Sequence, residues 1–133
     1  MPAPRRLRLL ATVAVLGAAV VGACGDEGIQ LAKDDPDYDG AAIFAERCAG
    51  CHTLSVAGTE GSATQINGRE YKDGPNFDVR KEEKDQVLYA IYNGGYSSGP
   101  MPQDIVTGAE AEAVAEFVAK YSGRDAPTIP SPN

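Results

Sequence analysis

The sequence predicts an all-α fold, with about three main helices and their connecting loops filling residues 39–123 of a 133-residue chain. Three observations point there. Three segments repeat apolar residues at three- and four-residue intervals between recognisable helix start and stop signals. No run of four to eight residues alternates cleanly with β-branched side chains, so strands are not expected. The third is Cys48-Ala49-Gly50-Cys51-His52, which sets two thiols one helical turn apart beside the only histidine in the chain.

Residues 1–23 read as a segment outside that domain. Arg5, Arg6 and Arg8 precede an uncharged run, Leu9 to Gly25, rich in Leu, Val and Ala. A basic start followed by an apolar stretch is the pattern of a signal peptide. It closes on Val21-Gly22-Ala23-Cys24, small residues before a cysteine, which resembles a bacterial lipoprotein lipobox. Cleavage before Cys24 and lipidation of that residue are the expectation. A plain signal peptide cut elsewhere and an uncleaved anchor are the alternatives. The anchor suffers from a segment short for a ~30 Å hydrocarbon core.

Residues 24–38 follow as an acidic tether. From Gly25 to about Asp37 the chain is polar, and Pro36 interrupts it. A dozen residues reach at most roughly 40 Å when fully extended. The tail, 124–133, holds three prolines and is expected to be loose.

The first helix is expected to start near Asp39 as its N-cap and to carry Ile43, Phe44 and Arg47 into the cysteine motif. The second spans about Lys81 to Tyr92. Glu82 and Glu83 fall in its first turn, Val87, Leu88 and Ile91 form its inner side, and Gly94-Gly95 stops it. The third opens on Thr107-Gly108-Ala109-Glu110, a T-x-x-E capping box, and ends at Gly123. Its Val114, Phe117, Val118 and Tyr121 form an apolar stripe suited to core packing.

Cys48, Cys51 and His52 carry the chemistry. C-x-x-C-H is the form of a covalent attachment site for c-type haem. Thiols three positions apart on a helical turn share a face, where each can join a vinyl group of the macrocycle. The following histidine offers its imidazole to the iron. Small Ala49 and Gly50 let the ring edge approach the backbone. Other readings fit less well. A zinc site needs four ligands, and the only other cysteine is Cys24. A thioredoxin-like pair would sit in a βαβ pattern that is missing here. A disulfide leaves His52 without a role. Covalent haem also favours export of the unfolded chain over the twin-arginine route that Arg5-Arg6 would otherwise suggest.

A sixth iron ligand is available in Met101, the only methionine besides Met1. It stands in Gly99-Pro100-Met101-Pro102, where two prolines stiffen the loop and remove donors. A stiff loop can hold a thioether on iron, although an isolated methionine is ordinarily core filler. A single histidine rules out bis-histidine ligation within one chain.

From about Asp39 to Ser122 the chain resembles a small monohaem class I cytochrome c, of the membrane-tethered lipoprotein type. Gly40 and Phe44 resemble the family's glycine and aromatic on an N-terminal helix that crosses the C-terminal helix, here through Val114 and Phe117. Cys48, Cys51 and His52 match the attachment motif, and Met101 the distal ligand. Gly74-Pro75-Asn76 resembles the turn whose proline carbonyl accepts the histidine ring N–H. The resemblance therefore implies Pro75 as the group behind His52. Ser55–Asp73 fits no particular subfamily pattern. The implied fold is that of class I cytochrome c, wrapped around one covalent haem.

Two axial ligands would saturate the iron and make it an electron carrier, with the sulfur favouring the ferrous state. The expected role is a membrane-tethered single-electron carrier on the extracytoplasmic, periplasmic side of a bacterial membrane. It would run between a membrane dehydrogenase or quinol-oxidising complex and an oxidase or reductase. A fixed haem subunit of a larger oxidoreductase is the alternative. A haem catalyst is disfavoured because no distal acid–base histidine exists. Removing residues 1–23 takes away three arginines and no acids, shifting the formal charge from −7 to −10. Such a chain repels phosphate, which argues against nucleic acid as a partner. Seven of the acids lie in residues 24–46 against Lys33 alone, whereas residues 47–103 are nearly balanced.

Overall fold

Helix α1 (Tyr38–Arg47) and helix α3 (Gly108–Tyr121) cross at the centre of the molecule, with α2 (Lys84–Asn93) packed on α3. The computed structural model describes residues 28–63, 66–97 and 99–125. The expected signal segment, Cys24 and the tail from Ala126 lie outside the described residues.

The crossing is close because Gly40 has no side chain. A Cβ placed there would lie 2.5 Å from the Ala113 carbonyl oxygen and 2.8 Å from Phe117 Cβ. Below that contact Phe44 meets Phe117, with ring centroids 6.0 Å apart, and Phe77 at 6.1 Å. Tilted aromatic pairs at these separations place ring edges against faces. Phe44, Phe117, Leu54, Val114 and Val118 are the largest fully buried side chains.

Asp37, not Asp39, occupies the N-cap position of α1. Its carboxylate does not cap the helix. It instead ion-pairs with Lys120 and accepts a hydrogen bond from the Tyr121 hydroxyl at 3.1 Å. The start of α1 is thereby tied to the end of α3, a distant partner that local propensity could not reveal.

Helix α2 begins at Lys84, three residues later than expected. Lys81 and Glu82 are held outside it by tertiary contacts. Lys81 Nζ donates to the Ala119 carbonyl, and the Glu82 N–H donates to Ser122 Oγ at 3.0 Å. Glu82 is itself buried, with Arg80 paired to its carboxylate. Glu83 becomes the N-cap, and the Gln86 side chain accepts its N–H at 2.9 Å. The helix stops at Gly94, as the Gly94-Gly95 pair predicts.

Thr107 is the N-cap of α3, but its hydroxyl makes no capping bond, so the expected capping box is not formed. Glu110 still places a negative charge in the first turn, where the helix dipole favours it. Ala111, Val114, Ala115, Phe117, Val118 and Tyr121 are buried, extending the expected stripe. Beyond the helix, Gly123 N–H donates to Phe77 O at 2.7 Å and Asp125 N–H to Asp78 O at 2.8 Å.

Two short strands, β1 (Thr53–Leu54) and β2 (Thr59–Glu60), pair antiparallel around a 3₁₀ turn at Ser55–Ala57. Two-residue strands fall below the length at which alternation can be read. Part of the expected tether also makes specific contacts. Gln30 N–H donates to Val56 O at 2.9 Å, and Ile29 and Leu31 are half-buried against the core.

Candidate functional site

The turn that closes α1 sets the cysteine motif. Cys48 N–H donates to Phe44 O at 2.8 Å, and the Cys51 and His52 N–H groups both donate to Cys48 O, at 3.1 and 3.0 Å. These bonds wind residues 48–52 into one tight turn, so both sulfurs and the imidazole stay together. All three side chains line a cavity of about 650 Å³, and Pro75 and Met101 line it too. Every expected site residue among the described ones therefore meets in one place. Cys24 lies outside the described residues.

The thiols are free and half-buried. Burial, reinforced by neighbouring Cys51, pushes the Cys48 thiol up to about 12. Thiols that react as redox pairs need the thiolate, which a cationic environment stabilises. Cys48 has the opposite setting. Among the described residues no three His, Cys, Asp or Glu side chains are grouped so as to hold a metal ion.

His52 is held by its back edge. Nδ1 lies 3.1 Å from the Pro75 carbonyl oxygen, which can only accept, so Nδ1 carries the proton and Nε2 keeps its lone pair. Burial lowers the histidine below its ordinary value; the Pro75 bond opposes that shift and Arg80 adds slightly to it. A neutral imidazole with a free Nε2 is the form that binds a metal. The ring lies parallel to Phe77, centroids 4.7 Å apart.

Gly74 makes this approach possible. A Cβ there would fall 2.3 Å from His52 Cε1, so no other residue fits behind the ring. Gly74 N–H donates to Cys51 O at 2.8 Å and Phe77 N–H to Thr53 O at 2.8 Å, which run the Gly74–Phe77 segment alongside the motif.

Met101 reaches the cavity from the loop between α2 and α3. Asp104 N–H donates to Ile91 O at 2.9 Å, anchoring that loop to α2. A Cβ on Gly94 would stand 3.0 Å from Met101 O, so the loop lies flat on the helix end. Phe77 and Ile91 line the cavity. Leu88 does not; it is half-buried against the core instead.

Some lining residues escaped the sequence reading. Arg47, Arg69, Lys72 and Arg80 border the cavity together with Asp73 and Glu82. No spacing rule joins cations drawn from the end of α1 and from the loops that precede α2. Ser62 was also missed: its hydroxyl lies 3.0 Å from Pro75 O, the acceptor used by His52. It comes from the stretch Ser55–Asp73, which no helical or strand period describes.

The donor set suits a haem. Two adjacent thiols can form thioethers, an imidazole with a free Nε2 and a thioether can face iron, and the walls are largely apolar. A volume of about 650 Å³ is in the range of cofactor sites.

Comparison with known proteins agrees. Residues 38–122 match the family model described as cytochrome c. No curated protein matches the chain. Among solved structures, the c-type cytochrome SorU from Sinorhizobium meliloti is 38% identical, with a TM-score of 0.51. That likeness covers 65% of this chain and 91% of the other. With the family match spanning well over half its length and all three helices, this chain belongs to the cytochrome c family, carries covalent haem c and serves haem-based electron transfer.

Proposed function

We propose that this protein is a membrane-tethered single-electron carrier whose haem is bonded to Cys48 and Cys51 and ligated by His52 and Met101. One observation carries the reading: those four side chains come from two separate regions of the chain and share the walls of one cavity. When bound, the group supplies a one-electron ferric–ferrous couple. The chain does the rest. Pro75 fixes the His52 tautomer and orientation, which raises the ring's basicity as a ligand. The sulfur of Met101 favours the ferrous state relative to a second imidazole. The Pro100 and Pro102 frame keeps that sulfur in place without a strong bond. Phe77, Val87, Ile91 and Val114 keep water from the cavity.

The lipid on Cys24 would hold the domain at the extracytoplasmic face of a bacterial membrane. Among the described residues no helix is long and apolar enough to cross a membrane, so attachment through the N-terminal segment is the route the sequence offers. The acidic surface suits basic faces on redox partners, with a membrane dehydrogenase or quinol-oxidising complex as donor and an oxidase or reductase as acceptor. The alternative role, a fixed subunit of a larger oxidoreductase, draws support from Val79 and Tyr96. Both are more than half-exposed or close to it and lie at the cavity border, where a permanent partner could cover them.

Extraction of membranes tests the proposal. The holoprotein should appear in the detergent phase as a small species, and Cys24→Ser should release it without loss of its haem spectrum. Co-purification with a larger assembly through detergent and salt would favour the fixed-subunit role.

A further inference from the structure

The Pro75 carbonyl serves two donors. His52 Nδ1 lies 3.1 Å from it, and Ser62 Oγ lies 3.0 Å from the same oxygen. Ser62 is 7% exposed, so no bulk water competes for its hydroxyl. Its Oγ also accepts the Thr53 N–H at 3.0 Å. Among the described residues, the one remaining acceptor in reach is Cys51 O, at the longer distance of 3.3 Å. A serine has a single hydroxyl proton, and the shorter contact directs it to Pro75. Accepting from Thr53 polarises the hydroxyl and makes it a better donor.

We propose that Ser62 is a positioning residue that shares the Pro75 carbonyl with His52, weakens the His52–Pro75 hydrogen bond and so holds the reduction potential up. This rests on the reading of His52 as the proximal ligand. A carbonyl oxygen has two lone pairs and can accept both bonds, but each donor draws on the same electron density. A weaker bond at Nδ1 leaves the imidazole less anionic in character, and a less basic ligand stabilises ferric iron less. Hydrogen bonds behind a ligating histidine tune the metal in this manner, and such contacts are a recognised lever on haem potentials.

The segment carrying Ser62 is built to hold that contact. Ser62 N–H donates to Thr53 Oγ1 at 3.0 Å, so backbone and side chain are both tied to the residue next to His52. Thr59 Oγ1 accepts the Leu54 N–H at 2.9 Å and secures the same hairpin without touching Pro75. Thr59→Val therefore loosens the segment and leaves the shared carbonyl alone.

The test uses the matured, haem-loaded full chain. Ser62→Ala should shift the equilibrium with a one-electron mediator about threefold toward the oxidised protein, equivalent to a drop of about 28 mV at 59 mV per tenfold. Its His52 Nδ1 proton should move downfield in the reduced protein. Ser62→Thr should restore both readouts, and Thr59→Val should lower stability while leaving both unchanged. If Ser62→Ala fails to mature, Ser62→Cys, a weaker donor, should move them in the same direction. An unchanged potential and Nδ1 resonance on loss of the hydroxyl would overturn the proposal. His52 is the sole histidine, so ¹⁵N-histidine labels one ring. Absence of paramagnetic shifts on that ring in the oxidised wild type would sink the ligand reading, and the Ser62 proposal with it. Shifted ring signals with an unmoved potential would sink the Ser62 role alone.

Discussion

Gly40 lies so near Phe117 that a single added methyl would put two Cβ atoms 2.8 Å apart. The crossing of α1 and α3 is thereby set by the missing side chain, and Phe44 is carried down onto Phe117 and toward His52, whose ring centroid is 6.4 Å away. Gly40→Ala must separate the helices or displace the Ala113 backbone. Overpacking of this kind costs about 1–3 kcal/mol. Denaturant unfolding of the holoprotein should show that loss; a change of only a few tenths would mean that the helices can part freely.

Asp37 makes stability depend on alkaline pH. Its hydrogen-bonded ion pair raises Lys120 above its ordinary value of 10.5. Burial first, then the bond to Asp37, raises Tyr121 above its ordinary 10.0. For a group raised on folding, the contribution is complete below the unfolded value and is lost as pH climbs through the folded one. The melting temperature should therefore fall from about pH 10 upward. Asp37→Asn should lower it at neutral pH and flatten that alkaline decline. A parallel decline in wild type and variant would contradict the linkage.

Met101 is expected to set the potential through its sulfur. Met101→His should lower the reduction potential, and Met101→Ala should open the sixth position to exogenous ligands. Both should abolish the near-infrared sulfur–iron band. Retention of that band in either variant would show that another group occupies the position.

The cavity also makes the haem a structural element. Empty, this space of about 650 Å³ leaves its apolar walls facing water. Without an occupant the space must flood or collapse. The Cys48→Ser/Cys51→Ser chain lacking haem is expected to lose most of its helical circular dichroism. Native-like helicity in that variant would show that α1 and α3 suffice.

The sequence made the helices and the redox motif legible because each rests on local rules. The stripe through Val114, Phe117, Val118 and Tyr121 has a helical period, and Cys48, Cys51 and His52 are contiguous. The errors arose where distant residues decide. Asp37 displaced Asp39 as N-cap because Lys120 and Tyr121 hold its carboxylate. Lys81 and Glu82 were kept out of α2 by Ala119 and Ser122. Ser62 and Arg80 come from loops with no period, and only folding brings the first to the Pro75 carbonyl and the second to the cavity. The family turn Gly74-Pro75-Asn76 located the acceptor behind His52, whereas nothing local announced its second donor.

The central claim is that haem is bonded to this chain through Cys48 and Cys51, and peptide mass spectrometry of the matured protein tests it most directly. The fragment containing Cys48 to His52 should carry the mass of one haem, with neither thiol open to alkylation, and the intact protein should give a c-type pyridine haemochrome. A fragment of unmodified mass with both thiols alkylated would contradict it.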